Sequence, residues 1–347
     1  MLKQSLHRYA ITLLAFLLIL LMCPNFTQAQ QLPRSVTLGS PAAGSLLYSL
    51  GSGLAKVVSE TAPFQMTIQP YSGTSTFLPL VDSGEMDFGV NNAVDLALSY
   101  RGPGYRIGGR NPFPLSSNVR LVMRGSPLMG SLVVRKDSPL KSIHDVKGKR
   151  LTGEYPAHLA VWYTTFASLA NGGLTWSDVK IVPVPAVNEG IDALIQGRAE
   201  VSNHAIGAAK MKEADATIGA RFLSLDCSPL GEERIKKAIP GYYVVLLKAG
   251  SSTGVIEDTC VYAYDLYLIT HKAQPDGVVR AALKALWENI DKLPPLHPSF
   301  KQWTRERAVS SEVTIPYHPA AVQSFKEMGI WKTGMDQVQQ KLLAVKP

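Results

Sequence analysis

From Val36 to His204 the chain passes twice through one order of elements: strand, polar loop, helix, strand, helix, glycine stop, strand, polar pair. The first pass starts at Val36 and Leu38, breaks at Gly39-Ser40-Pro41-Ala42-Ala43-Gly44-Ser45 and enters a helix. Leu46, Leu47, Leu50, Leu54, Val57 and Val58 recur there at helical spacing, so one face is made for a core. An alternating strand (Phe64, Met66, Ile68) then leads into Tyr71-Ser72-Gly73-Thr74-Ser75-Thr76 and an apolar turn at Phe77, Leu78, Leu80 and Val81. Gly84 stops it, and a short strand ends in Asn91 and Asn92. The second pass runs from Arg150-Leu151-Thr152 through the loop Gly153-Glu154-Tyr155-Pro156-Ala157-His158 to a helix with Leu159, Trp162, Tyr163, Phe166 and Leu169 inward. A strand from Lys180 to Pro183, a helix at Ile191 to Ile195, the stop at Gly197 and Val201-Ser202-Asn203-His204 complete it. This repetition predicts an α/β chain of two similar lobes facing each other across a cleft. Asn91 and Asn92 then stand on one wall, Asn203 and His204 on the other.

The loops say what such a cleft holds. Small residues before a helix admit a ligand to its first turn, where free N–H groups and the positive dipole end favour a carboxylate. Gly44 and Ser45 occupy that place in the first loop, and Ser72, Thr74 and Ser75 offer hydroxyls in the second. Glu154 is the odd member, because a carboxylate beside an anionic ligand is unfavourable without a cation. Two readings of it stand side by side: it meets a ligand ammonium, or it faces its own helix N-terminus. His158, four residues on, pairs with Glu154, touches the ligand or is packed; Tyr155 is a candidate stacking surface.

Residues 1–29 read as a cleaved export signal: Lys3 and Arg8, an apolar run from Ala10 to Met22, and Thr27-Gln28-Ala29 before Gln30. Without them the formal charge drops from +8 to +6, since Lys3 and Arg8 leave with no acid. The remaining basic residues are scattered and not interleaved with aromatics, which speaks against nucleic-acid binding. Of three cysteines, Cys23 lies in the leader; Cys227 and Cys260 invite a disulfide in an oxidising compartment, but spacing does not bring them together, and the expectation leans to two separate thiols. No CxxC, HxH or HExxH spacing supports a metal, and no cofactor loop is present.

Between the passes, two short strands are expected at Val119 to Met123 and Ser131 to Val134. The predicted organisation is residues 30–133 as the first part of lobe 1, 134–250 as lobe 2, and 251–347 as the return to lobe 1 with C-terminal helices. Val278, Val279, Ala282, Leu283 and Leu286 mark one of those helices, and Pro316-Tyr317-His318-Pro319 introduces another whose Val322 and Phe325 cover lobe 1.

With this order in view, the chain resembles the TAXI family, the extracytoplasmic solute receptors of TRAP transporters. The resemblance spans Val36 to about Trp331 and rests on Val134-Arg135-Lys136-Asp137-Ser138 with Asp145-Val146-Lys147-Gly148-Lys149-Arg150, the Asp82 to Gly89 stop and strand, and Pro316 to Ala321. It implies a type II periplasmic-binding-protein fold, a monomer in the periplasm that closes on a small carboxylate or amino acid such as glutamate or 2-oxoglutarate. It also implies delivery to membrane subunits driven by an ion gradient. Positions matching its ligand contacts are Gly44, Ser45, Tyr48, Ser72, Gly73, Thr74, Ser75, Asn91, Asn92, Glu154 to His158, and Asn203. The chain departs from the family where Ser40-Pro41-Ala42-Ala43 replaces a Gly-Ser-Thr-Gly-Gly-like loop, and where Glu154, Tyr155 and His158 replace a Gly-rich one. A sensory module for a receptor kinase and a small-molecule enzyme are the alternatives on the same architecture; the enzyme would rely on Glu154 and His158, and the expectation is that it is not one.

Overall fold

The computed structural model describes residues 31–345, so the predicted export signal lies outside the described residues. Both passes fold as strand–helix alternations. The first comprises β1 (Ser35–Pro41), α1 (Leu46–Thr61), β2 (Gln65–Tyr71), α2 (Thr74–Ser83), β3 (Phe88–Asn92) and α3 (Ala93–Arg101). After β4 (Val119–Arg135), the second comprises β5 (Arg150–Glu154), α4 (Leu159–Asn171), β6 (Lys180–Val184), α5 (Val187–Ile195), β7 (Ser202–Ala205) and α6 (Ala209–Ile218). Then come β8 (Ala220–Phe222), α7 (Pro229–Ala238), β9 (Tyr243–Leu247), β10 (Thr259–His271), α8 (Asp276–Glu288), α9 (Pro319–Glu327) and α10 (Met335–Leu343). The face of α1 read from its spacing is the buried one: Leu46, Leu47, Leu50, Leu54, Val57 and Val58 all lie in the core.

The strand order is β2-β1-β3-β10-β4-β7, with β8 added on β4 and β9 on β10. β1 pairs in parallel with β2 and β3, and β10 runs antiparallel to β3 and β4. Strands β4 and β10 are long enough to serve both lobes. Val119 to Arg124 of β4 lies with the β3 half of β10, whereas Gly130 to Arg135 pairs with β7 and β8. The parallel pair β5 and β6 joins the second lobe through a bridge from Leu151 to Val201.

Two expectations are corrected. The two short strands at Val119 to Met123 and Ser131 to Val134 form one strand of 17 residues. Gly125-Ser126-Pro127 reads as a break, yet Pro127 sits opposite Asp265 at a register shift, where a missing N–H is tolerated. Gly125 is needed there because a Cβ would come within 2.4 Å of the Trp303 ring. The register shift is pinned by charge: Asp265 accepts from Arg124 Nε (2.6 Å) and Arg307 Nη2 (2.5 Å).

The second correction concerns the cysteines, which form a disulfide between Cys227 and Cys260, with their Cα atoms 5.8 Å apart. Leu225 N donates to the Cys260 carbonyl (2.8 Å) and Cys260 N to Ser224 Oγ (3.0 Å), which lays the segment before α7 along β10. Spacing in the sequence could not show that alignment. Its closure of a 33-residue separation predicts that the C227S/C260S double variant loses about 3 kcal/mol of unfolding free energy in urea titration, and that reductant has no further effect on it.

The C-terminal helices lie where expected, with Phe325 fully buried and Val322 partly so. The segment before α9 attaches to β4 through Leu121 N to Pro316 O (2.9 Å) and His318 N to Leu121 O (2.8 Å). Among the described residues no helix is long and apolar enough to cross a membrane.

Candidate functional site

Between the lobes, five helices begin around one cavity of about 40 Å³. Ser45 caps α1, Gly73 precedes α2, Asn92 caps α3, His158 precedes α4 and Ala186 precedes α5. The cavity is lined from their first turns by Ser45, Leu46, Thr74, Asn92, His158, Val161 and Val187, and from the strands by Leu128, Asn203, His204, Tyr262 and Tyr264. No lysine or arginine is among the lining residues. The only fixed positive potential at the wall is therefore that of helix ends, each worth roughly half a unit charge. The residues preceding α4 and α5 give their first turns no side-chain cap.

The walls touch each other. Ser75 Oγ donates to Ala157 O (3.1 Å) and accepts from Leu159 N (3.2 Å). Asn188 Nδ2 donates to Ala43 O (2.9 Å), and Lys210 N to Gly44 O (3.0 Å). Gly73 lies so close to the opposite lobe that a Cβ would stand 2.2 Å from Ala157 O. The two walls are thus in direct contact beside the cavity.

Both histidines are neutral. Burial, with His204 nearby, holds His158 down at about 3, and burial, with Lys210 contributing, holds His204 down at about 4. His204 Nδ1 accepts from Ala205 N (3.0 Å), whereas His158 Nδ1 is buried without a partner. Asn203 accepts from Tyr262 OH (2.7 Å) and donates to Thr165 Oγ1 (3.1 Å), which fixes its amide orientation. Behind the wall, Asp95 in the first turn of α3 accepts from Thr74 Oγ1, and its backbone N donates to Asn92 Oδ1 (2.8 Å). Its other carboxylate oxygen has no partner, and burial, outweighing the hydrogen bonds from Thr74 and Asn92, pushes its pKa up to about 7.

The residues singled out from sequence fall into groups. Ser45, Thr74, Asn92, His158 and Asn203 line the cavity. Gly44, Gly73 and Ser75 make the contacts between the lobes. Ser72 is exposed on an outer groove that Glu189 also lines, and Tyr48 is half-buried away from the cavity wall. Asn91 lies behind Asn92, whose N and Nδ2 donate to Asn91 Oδ1 (2.7 and 3.1 Å). Glu154 and Tyr155 do not line the cavity. Both adopt left-handed backbone (φ 69° and 49°) at the end of β5, which turns Glu154 outward to solvent and Tyr155 into a small core, where its hydroxyl meets Thr152 Oγ1 (2.5 Å). Sequence reasoning missed Leu128, Tyr262, Tyr264 and Asp95; the alternation of Tyr262 and Tyr264 was the available signal. Among the described residues no group of three or more His, Cys, Asp or Glu side chains could hold a metal ion.

Asp95 gives a test of the electrostatics. The unfolded chain releases this proton near 3.8 and the folded chain near 7, so the folded state holds the extra proton in between and stability falls as pH rises through that window. Relative to wild type, Asp95→Asn should gain roughly 2 kcal/mol between about pH 5 and pH 8 in urea unfolding. The histidines are common to both proteins and cancel; parallel pH profiles would show that the Asp95 charge is compensated.

Two solved structures share this architecture. One, described as a periplasmic transporter, has a TM-score of 0.52 at 14% identity, covering 90% of this chain and 98% of that one. The other, a protein from Bordetella bronchiseptica RB50, has a TM-score of 0.50 at 15% identity, covering 85% and 89%. At that identity the likeness concerns the fold, which is the two-lobed periplasmic-binding-protein fold expected from the sequence. A family model described as NMT1-like matches residues 38–329, and the chain belongs to the NMT1-like family.

Proposed function

We propose that the chain is an extracytoplasmic solute receptor, not an enzyme, whose lobes close on a small carboxylate or amino-acid-like solute. The observation that carries this reading is the meeting of five helix N-termini on an interlobe cavity lined by no lysine or arginine. Backbone N–H groups and helix dipoles can hold one carboxylate in such a place without a counter-ion, and the neutral His158 offers its unpartnered Nδ1. The acid–base pair that an enzyme reading would need is not assembled at the wall, since Glu154 is exposed and does not line the cavity beside His158.

The narrower reading is a TAXI-type receptor that hands its solute to TRAP membrane subunits as a monomer in the periplasm, after loss of residues 1–29. The order of the Val134 to Ser138, Asp145 to Arg150 and Pro316 to Ala321 motifs supports it. The division into 30–133 with 251–347 against 134–250 belongs to the same reading, with β4 and β10 as the crossing strands.

Small monocarboxylates and amino acids should raise the unfolding free energy of the protein from Gln30 onward by about 2.7 kcal/mol at ~100 times their dissociation constant. Their amides should not, because they lack the anion; stabilisation by amides alone would sink the carboxylate reading. Gly73→Ala tests closure. The added Cβ collides with Ala157 O, so affinity should fall by roughly 10- to 100-fold, the size of a 1–3 kcal/mol overpacking cost. Small-angle scattering of that variant with solute should show the separated lobes; unchanged affinity would mean that binding needs no closure.

A further inference from the structure

Beyond Tyr264, which lines the central cavity, lies a second and much larger one of about 650 Å³ that Tyr264 also lines. Its walls come from both lobes: α3, the segment Ser311 to Thr314 and α10 on one side, Pro240 to Tyr243 on the other. Tyr105, Tyr242, Tyr264 and Tyr267 contribute rings, and Tyr242 stacks on Tyr264 with centroids 4.7 Å apart and planes 13° apart. Arg101, the last residue of α3, lies with its guanidinium carbon 4.6 Å from the Tyr105 ring centroid. Its Nε is buried and has no hydrogen-bond partner, and no ion pair to Arg101 occurs among the described residues.

The other charges of this cavity do not balance it. Both oxygens of Asp265 are taken, by Arg124 and Arg307, while Glu312 and Lys341 add one charge of each sign to the lining. What remains is one guanidinium at the wall of a room of drug-like size lined by tyrosines. A carboxylate can meet the two terminal Nη groups of a guanidinium through two parallel hydrogen bonds, which is the geometry this residue type selects. Tyrosine rings accept a flat apolar body by offset or edge contacts.

We propose that this cavity is a second ligand site, separate from the central one, that takes an aromatic carboxylate with its carboxylate on Arg101. An occupant touches both lobes, so it favours the closed arrangement and raises the affinity of the central site by the same factor by which a central solute raises its own. The proposal goes beyond the receptor reading and stands or falls apart from it.

The probe is 4-bromobenzoate, with 4-bromobenzamide as its uncharged counterpart, titrated calorimetrically into the full chain from Gln30 onward. Wild type should bind the acid and not the amide, Arg101→Gln should bind the acid about tenfold more weakly or worse, and Arg101→Lys should recover only part of the loss. In crystals soaked with the acid, the bromine anomalous peak should lie in the larger cavity. No binding of the acid, equal binding of the amide, equal binding by Arg101→Gln, or a bromine peak in the central cavity would each overturn the proposal. Stabilisation by small aliphatic carboxylates alongside any of those results would leave the central site standing.

Discussion

The antiparallel ladder between β4 and β10 is the constraint on which the rest of the molecule depends. Neither strand stops where one lobe gives way to the other; both run through, paired with first-lobe strands at one end and second-lobe strands at the other. Any movement of the lobes therefore has to be absorbed by a few torsions within the ladder. The register shift between Asp265 and Tyr267, opposite Gly125 to Pro127, is where backbone pairing already lapses, and there Asp265 is held by Arg124 and Arg307. Backbone hydrogen bonds are thus exchanged at that point for a charged clasp that ties β4, β10 and the Arg307 segment together. Leu128, Tyr262 and Tyr264 project into the central cavity from the strand stretches beside it, so the floor of the site and the crossing between lobes are one piece of structure.

The electrostatics of that cavity follow from what is absent from its wall and what lies behind it. An arginine would bind an anion strongly, but it would also need a partner whenever the solute is gone, as buried charges do. Helix ends avoid that difficulty, since their N–H groups and dipoles are part of the backbone and the neutral histidines ask for no counter-ion. Asp95 is the exception. It is fully buried, half satisfied, and sits in the first turn of α3, where the dipole favours its negative form while burial opposes it. Held protonated up to about pH 7, it adds no charge behind the wall in acid conditions and a negative one in alkaline conditions.

Much of this was legible because capping chemistry is local. Ser45, Thr74, Asn92 and His158 stand at helix starts, and a polar residue there after a short strand is recognisable from neighbours alone. Their facing one another required only the repeat. What was not legible depended on backbone direction or on pairing between distant segments. Glu154 and Tyr155 occupy the matching loop, but positive φ at both sends one to solvent and the other into a core, and no composition signal marks that. Tyr262 and Tyr264 look like any alternating aromatics of a buried strand. Asp95 reads as a first-turn acid, and only the shape of the wall shows its second oxygen to be stranded. The two short strands expected within β4 and the separate cysteines failed for the same reason: β4 is kept continuous, and Cys227 is brought to Cys260, by partners far away in sequence.

The contacts between the walls are individually weak. The bonds that Ser75, Asn188 and Lys210 make across the cleft are between neutral groups, each with a net value of about 0.5–1.5 kcal/mol once water competes for the same atoms. Together they amount to a few kcal/mol, against the ordering they impose on the loops that carry them. A solute that contributes several kcal/mol in the closed form alone is enough to invert such a balance. Gly73 sets how closely the walls approach and hence how little space remains: a larger residue there would hold the lobes apart, and the helix ends around the cavity would then face water instead of a solute.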